Sequence, residues 1–127
     1  MKKILISQAI YTDKQRNESG DSLDGSIITF LYKAGYLAIP VSNFYTNIQH
    51  NRHESLLTYY LSQLNVDGLL LTGGADLGLH KIRDSTERTL INWATAMKIP
   101  VLGLCRGMQI LGKMLGSELQ KIDGHIN

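Results

Sequence analysis

The sequence predicts an α/β fold with a parallel sheet and helices on both of its faces. Short apolar segments alternate with segments whose apolar residues recur at helical spacing. Strands that alternate with helices of this length are joined by right-handed crossovers, which places the strands parallel in one sheet. Two of the apolar segments, residues 69–71 and 101–104, run into glycine-containing turns, so both turns are expected at the same edge of the sheet.

In the regular part of the chain, up to residue 115, four strands and four helices are predicted in alternation. The strands are expected at residues 3–7, 37–41, 69–71 and 101–104. The helices are expected within residues 23–34, 54–64, 84–97 and from the turn after residue 104 to residue 115. The first helix has its apolar stripe at Leu23, Ile27, Phe30, Leu31 and Ala34, with Gly35 as its stop. A mostly polar stretch over residues 12–21 precedes that helix.

The third helix carries a predicted start signal. Asp84-x-x-Glu87 resembles a capping box, with Asp in place of the usual Ser or Thr. The stripe of that helix is expected at Leu90, Ile91, Ala94 and Met97. We therefore interpret Arg83, Asp84 and Glu87 as capping and surface-pairing residues rather than as substrate contacts.

Cys105 is the one cysteine of the chain, and it follows the apolar segment 101–104. Gly103 and Gly107 flank it two positions away on either side, which is the Gly-x-nucleophile-x-Gly spacing of a nucleophile elbow. Glycine is expected there because the turn is strained and crowded. The unpaired N–H groups at the start of the next helix favour a thiolate and a developing oxyanion. The alternative is an inert cysteine buried in the core.

A second glycine turn, Thr72-Gly73-Gly74, ends the predicted strand 69–71. One of its backbone N–H groups and the amide of Arg106 are candidates for an oxyanion hole beside the thiol. An ordinary strand-to-loop turn is the alternative explanation of the glycine pair.

Three motifs carry a family resemblance. They are Asp67-Gly68-Leu69-Leu70-Leu71-Thr72-Gly73-Gly74-Ala75-Asp76, Arg83-Asp84-x-x-Glu87 and Gly103-Leu104-Cys105-Arg106-Gly107-Met108-Gln109. Together they resemble class I glutamine amidotransferases. The Cys-Arg-Gly-Met-Gln run is similar to their γ-glutamyl hydrolase branch, which includes γ-glutamyl-γ-aminobutyrate hydrolase. The resemblance is close over about residues 66–122 and implies the N-terminal part of a flavodoxin-like amidotransferase fold.

The resemblance also implies a reaction, the hydrolysis of a γ-glutamyl amide through a γ-glutamyl thioester on Cys105. Glutamate and an amine or ammonia would be released, with no cofactor. By the same likeness, the backbone N–H groups of Gly74 and Arg106 stabilise the oxyanion, and Gly73 and Gln109 help to bind the small-molecule substrate. A solvated helix position explains Gln109 equally well.

Several alternatives to this function stay open. One is a glutaminase subunit that supplies ammonia to a synthase, and another is a substrate whose γ-glutamyl amidate is linked to a nucleotide. A third is a non-catalytic domain that binds glutamine or a γ-glutamyl group. A stress-response protein of the same broad superfamily is less compatible, because the Gly-Gly-x-Asp and Arg-Asp-x-x-Glu elements are not typical of those proteins.

The catalytic base of the family has no counterpart in the sequence. The family pairs its cysteine with a His-x-Glu type pair well beyond the elbow, whereas here only His125 follows Cys105, with no acid after it. We interpret His125 as a loop histidine, and residues 117–122 as a strand without a covering helix. We therefore expect one incomplete domain over residues 1–127 that is either inactive alone or completed by residues outside this sequence. The other histidines are interpreted as surface residues, namely His50, His53 and His80.

Composition excludes other classes of function. The chain has 127 residues, 43% of them hydrophobic, with 12 glycines and 2 prolines, which is typical of a globular domain. A net charge of +2 with scattered Lys and Arg argues against nucleic-acid binding. No apolar run has the length of a signal peptide core or a membrane span. A single cysteine rules out an internal disulfide and favours the cytoplasm, and the histidines lack metal-ligand spacing. A homodimer is left open.

Overall fold

A computed structural model of the chain describes residues 1–74 and 78–114. The strands in these ranges are β1 (Lys2–Ile6), β2 (Ala9–Asp13), β3 (Glu18–Ser22), β4 (Tyr36–Pro40), β5 (Gly68–Leu71) and β6 (Val101–Gly103). The helices are α1 (Gly25–Lys33), α2 (Leu56–Ser62), α3 (Lys81–Ala96) and α4 (Arg106–Met114), with a short 3-10 helix at Asn43–Tyr45. Each strand and helix that was predicted within these ranges is present, with ends shifted by a few residues.

Four strands form one parallel sheet in the order β4-β1-β5-β6. Leu5 of β1 pairs with Ile39 of β4 and with Leu69 of β5, and Leu70 pairs with Leu102 of β6. The chain steps from β1 to one side for β4, then crosses back to the other side for β5 and β6. Since right-handed crossovers that step in opposite directions place their helices on opposite faces, both faces receive helices. The predicted α/β class and its flavodoxin-like arrangement are confirmed.

Alternating strand residues supply two apolar clusters, one on each face of the sheet. The larger cluster packs the sheet against α2, α3 and α4, and its buried members include Leu5, Leu57, Leu61, Leu69, Leu71, Leu90, Ile91, Ala94 and Ile110. The smaller cluster packs the sheet against α1, and its buried members are Ile6, Leu31 and Leu70. Each fully buried Leu or Ile contributes about 1.5–3 kcal/mol to the free energy of unfolding, so the larger cluster dominates the stability of the fold.

The α1 face of the sheet is only partly covered. Leu102 on β6 is 62% exposed, and Phe30 at the end of α1 is 70% exposed. Both border an apolar groove of about 1120 Å³ between α1 and the β5–β6 side of the sheet. The prediction that Phe30 and Ala34 lie on the buried face of α1 is therefore wrong, because at that end of α1 the sheet opposite them is open.

A β-hairpin replaces the polar stretch that was expected at residues 12–21. Strands β2 and β3 pair antiparallel, from Ala9 opposite Ser22 to Asp13 opposite Glu18. Strand β3 is polar, and in β2 neither polarity nor burial alternates from residue to residue, so the hairpin lacks the alternation that normally marks a strand. The Asp21 carboxylate anchors the hairpin to the start of the 3-10 helix after β4. It accepts hydrogen bonds from the Ser42 hydroxyl and from the Asn43 backbone N–H, the latter at 2.9 Å.

Helix α3 begins at Lys81, three residues before the predicted capping box. The predicted capping box is therefore wrong: His80 is the N-cap, and Asp84 lies inside the helix, where its carboxylate accepts a hydrogen bond from the Gly78 backbone N–H at 2.7 Å. Glu87 is fully buried rather than surface-paired. Met97, expected on the buried face, is 61% exposed because the helix ends at Ala96.

Some predicted features lie outside the described residues, namely the strand at 117–122, His125 and the end of the last helix at residue 115. Among the helices that are described, none combines the length and the apolar character that a membrane span requires.

Candidate active site

The turn between β6 and α4 holds Cys105 in a strained backbone conformation. Its φ of 49° lies in the left-handed region, which non-glycine residues adopt at a cost of about 1–3 kcal/mol. Cys105 is exposed, so the alternative of an inert cysteine sealed in the core does not describe this chain. Strain of this kind persists only where the surroundings enforce it, and it concentrates at functional sites.

The two flanking glycines enforce this turn through backbone contact. A Cβ placed on Gly107 would lie 2.3 Å from the carbonyl oxygen of Leu71, and one on Gly103 would lie 2.5 Å from the carbonyl carbon of Gly107. The Leu104 backbone N–H donates to the same Leu71 oxygen at 2.9 Å. Strands β5 and β6 and helix α4 thus meet without intervening side chains, which accounts for the Gly-x-Cys-x-Gly spacing.

The glycine turn after β5 lies beside Cys105, as the topology predicts. A Cβ placed on Gly73 would lie 3.6 Å from the Cβ of Cys105. The residue before it, Thr72, is tied to the end of β1, since its backbone N–H donates to the Ser7 hydroxyl at 2.9 Å and its hydroxyl donates to the Ser7 carbonyl at 3.0 Å. The carboxyl ends of β1, β5 and β6 therefore come together around the thiol. This is the edge where ligands bind in open α/β sheets.

Two backbone N–H groups, one in the glycine turn and one at the elbow, are candidates for contact with a ligand. Within residues 1–74 and 78–114, neither the Gly74 amide nor the Arg106 amide donates a hydrogen bond to a protein acceptor. Arg106 opens α4, and the first amides of a helix have no partner within it. The family resemblance implies that these two amides are the oxyanion donors. The lack of an acceptor for either among the described residues is compatible with that role, which stays a prediction.

A buried ion cluster lies directly behind the elbow. The Arg106 guanidinium donates to the carboxylates of Asp84 and Glu87, and Arg83 Nε donates to Glu87 Oε2 at 3.1 Å. Two cations balance two carboxylates, and none of the four residues is more than 8% exposed. Burial lowers the pKa of both arginines to about 10, and the charge of Arg83 further lowers the pKa of Arg106. The interpretation of these residues as structural is compatible with these contacts, but the surface pairing expected for them is wrong.

The remaining candidate residues are Gln109 and the histidines, and no described hydrogen bond joins any of their side chains to the Cys105 thiol. Gln109 is half-buried on α4, and its backbone N–H donates to the Cys105 carbonyl at 3.2 Å. His50 and His53 are exposed, with the His50 ring stacked on Tyr59 at 3.8 Å, and His80 is half-buried. In the described part of the chain no histidine hydrogen-bonds to Cys105, and no three metal-binding side chains cluster.

Comparison with known protein families identifies the family of this chain. The chain belongs to the Peptidase C26 family, whose profile matches residues 12–126. This family is of the class I glutamine amidotransferase type, and the predicted resemblance is confirmed at that level.

The chain is similar to proteins that are named as an amidotransferase, a hydrolase and a synthase subunit. The chain is 39% identical over 70 residues to a candidate glutamine amidotransferase of Schizosaccharomyces pombe, covering 43% of this chain and 28% of the relative. It is 34% identical over 67 residues to γ-glutamyl-CDP-amidate hydrolase of Campylobacter jejuni, covering 48% and 34%. It is 38% identical over 60 residues to the imidazole glycerol phosphate synthase subunit HisH of Vibrio parahaemolyticus, covering 47% and 29%. The chain thus spans about a third or less of these relatives.

Proposed function

We propose that the protein containing this chain hydrolyses γ-glutamyl amides with Cys105 as the nucleophile. The observation that carries the proposal is the exposed thiol at φ 49°, held at the start of α4 beside the glycine turn of β5. A nucleophile presented on a strained strand-to-helix turn, next to unpaired amides, is the arrangement that acyl transfer requires. Membership of the Peptidase C26 family supports a glutamine or γ-glutamyl amide as the substrate.

The proposed reaction has two halves. In the first, the Cys105 sulfur attacks the γ-carbonyl carbon, and the resulting oxyanion accepts hydrogen bonds from the Gly74 and Arg106 amides. The C–N bond then breaks, the amine leaves with an added proton, and a γ-glutamyl thioester remains. In the second half, water attacks the thioester, which releases glutamate and restores the thiol. Gly73 and Gln109 are proposed to contact the glutamyl portion. The proton transfers need a base that the described residues do not supply.

The names of two relatives bear on which leaving group the substrate carries. The relative from Campylobacter jejuni is named for a γ-glutamyl-CDP-amidate, which favours a nucleotide-linked amine. HisH is named as a subunit of a synthase, which is compatible with the alternative of a glutaminase that supplies ammonia to a synthase. A cytoplasmic location and a homodimer stay predictions.

The test uses the natural full-length protein with a chromogenic γ-glutamyl anilide. Stopped-flow measurement should show a burst of aniline equal to the enzyme concentration, followed by slower turnover if deacylation is limiting. Cys105→Ala should lose both phases, while the exposed-site control Ser85→Ala should keep them. Comparable turnover by Cys105→Ala would contradict the proposal. Glutamine hydrolysis that appears only beside a synthase would decide for the glutaminase alternative.

A further inference from the structure

The side chain of Arg83 reaches from α3 to the glycine turn and holds two of its carbonyl groups. Its Nη2 donates to the Thr72 carbonyl at 2.9 Å and to the Gly73 carbonyl at 2.8 Å. Arg83 is 1% exposed, so these hydrogen bonds are shielded from water. A buried charged donor of this kind makes stronger hydrogen bonds than a neutral one, so the two carbonyls are firmly oriented.

The hydrogen bond to Gly73 also fixes the direction of the Gly74 N–H. In a planar trans peptide, the carbonyl oxygen and the N–H of the next residue point to opposite sides of the chain. Because the Gly73 carbonyl points to Arg83, the Gly74 N–H points away from that guanidinium. Rotation of this peptide by half a turn would replace the N–H by a carbonyl oxygen, which repels an oxyanion. Glycine on both sides of the peptide makes such a rotation sterically easy unless something prevents it.

Glu87 connects Arg83, whose hydrogen bonds hold the glycine turn, to Arg106 of the elbow. One of its carboxylate oxygens accepts from Arg83 Nε and the other accepts from Arg106 Nη1. Arg106 is the residue whose backbone amide is the second proposed oxyanion donor. A single buried carboxylate therefore connects Arg83, which holds the glycine turn, with Arg106 of the elbow.

We propose that Arg83, anchored by Glu87, is a positioning residue that sets the orientation of the Gly73–Gly74 peptide and thereby forms one half of the oxyanion hole. This inference rests on the proposed amide hydrolysis. Arg83 touches neither the substrate nor the reacting atoms in this account, and it acts through the Gly74 amide. Gly74 itself has no room for a side chain, since a Cβ there would lie 2.5 Å from Arg83 Nη1.

A kinetic comparison of Arg83→Met, Arg83→Lys and the exposed-site control Arg88→Met tests this role in the full-length protein. Loss of one oxyanion donor lowers kcat about 100-fold, so Arg83→Met should show that loss with a much smaller change in KM. Arg83→Lys should recover part of the rate, because an ammonium can still hold one carbonyl. Alkylation of Cys105 by iodoacetamide forms no oxyanion and should proceed at the wild-type rate in all variants. Equal losses of kcat and of alkylation rate in Arg83→Met would overturn the proposal, as would an unchanged kcat.

A spectroscopic measurement separates this inference from the proposed function. With ¹³C-carbonyl and ¹⁵N labels on glycine, the Gly73 carbonyl resonance of Arg83→Lys should shift towards that of a weakly bonded carbonyl, and the Gly74 amide resonance should shift with it. Arg88→Met should leave both resonances in place. Unchanged resonances in Arg83→Lys would overturn the positioning role even if the wild-type protein is an active hydrolase. Conversely, shifted resonances in a protein that hydrolyses no γ-glutamyl amide would support the role in orienting the peptide and contradict only the function.

Discussion

Leu71 and Gly107 are in direct backbone contact, so the end of β5 packs against the first turn of α4 beside Cys105. A Cβ on Gly107 would lie 2.3 Å from the Leu71 carbonyl oxygen, which already accepts the hydrogen bond of Leu104. This contact sets where the thiol lies relative to the glycine turn.

Gly107→Ala should therefore be destabilising. The added methyl group must displace the backbone of either β5 or α4, and overpacking of this kind costs about 1–3 kcal/mol in the free energy of unfolding. Urea denaturation measures this cost. Gly25→Ala is the matched control, because a Cβ at Gly25 meets nothing within 4 Å. Equal stability of the two variants would show that the contact is looser than described.

The two glycines after β5 should respond differently to alanine. Gly74 has a φ of 132° and lies against Arg83, so Gly74→Ala should lower the free energy of unfolding by about 1–3 kcal/mol. Gly73→Ala meets only the Cβ of Cys105 at an ordinary 3.6 Å. It should fold normally but raise KM for a γ-glutamyl substrate, because its methyl group occupies space beside the thiol. Thermal unfolding and steady-state kinetics of both variants test this contrast, and the reverse order of stability would contradict it.

The strained backbone at Cys105 should reverse the usual order of stability, in which an alanine variant is more stable than a glycine variant. At most positions glycine is less stable than alanine because it loses more backbone entropy on folding. At φ 49° the Cβ carries a steric cost of about 1–2 kcal/mol, which glycine avoids. Cys105→Gly should thus be at least as stable as Cys105→Ala in urea denaturation, although both lack the thiol. A Cys105→Gly variant that is less stable by about 1 kcal/mol, as expected for an unstrained site, would argue against the strained turn.

Glu87→Gln should destabilise the fold strongly. The substitution leaves the buried guanidinium groups of Arg83 and Arg106 with Asp84 as their one remaining carboxylate among the described residues. Removing one partner of a buried ion pair typically costs about 3–5 kcal/mol. Glu18→Gln, at an exposed hairpin position, is the control and should change stability little. A small effect of Glu87→Gln would mean that water reaches the cluster.

Asp24 gives α1 a pH-dependent cap. The Ser26 backbone N–H donates to its carboxylate, and this hydrogen bond lowers the pKa of Asp24 below 3.8 in the folded state. Its contribution to stability is complete above pH 3.8 and is lost as pH falls through the lower folded pKa. Asp24→Asn keeps a capping side chain without a charge. The difference in Tm between wild type and Asp24→Asn should therefore shrink on acidification from pH 6 to about pH 2. A difference that does not change with pH would contradict the lowered pKa.

The predictable parts of this structure were those with a strong local pattern. Leu57 and Leu61 on α2, and Leu90 and Ile91 on α3, are buried as their spacing indicates. The elbow was also visible, because the Gly-x-Cys-x-Gly spacing around Cys105 is a local pattern, although Gly107 is required by its contact with the distant Leu71. The hairpin β2–β3 was missed because neither strand alternates apolar with polar residues, and because its anchor, Asp21, bonds to residues about twenty positions away.

The ion cluster could not be predicted for a different reason. Arg83 and Glu87 have the spacing of a surface pair on a helix, and the pattern does not reveal that Arg106 lies above them. Burial of that face depends on how α4 packs on α3. The one available signal was the density of charge on a face that also carries Leu90 and Ala94, since buried charges require partners.

The nucleophilic role of Cys105 is tested most directly by trapping the acyl-enzyme. The full-length protein is mixed with a γ-glutamyl anilide, quenched in acid within the burst, digested and analysed by mass spectrometry. A γ-glutamyl group should be found on the peptide that contains Cys105, and it should be absent after treatment with hydroxylamine. A burst of aniline with the γ-glutamyl group on another residue, or with Cys105 unmodified at every quench time, would contradict the account.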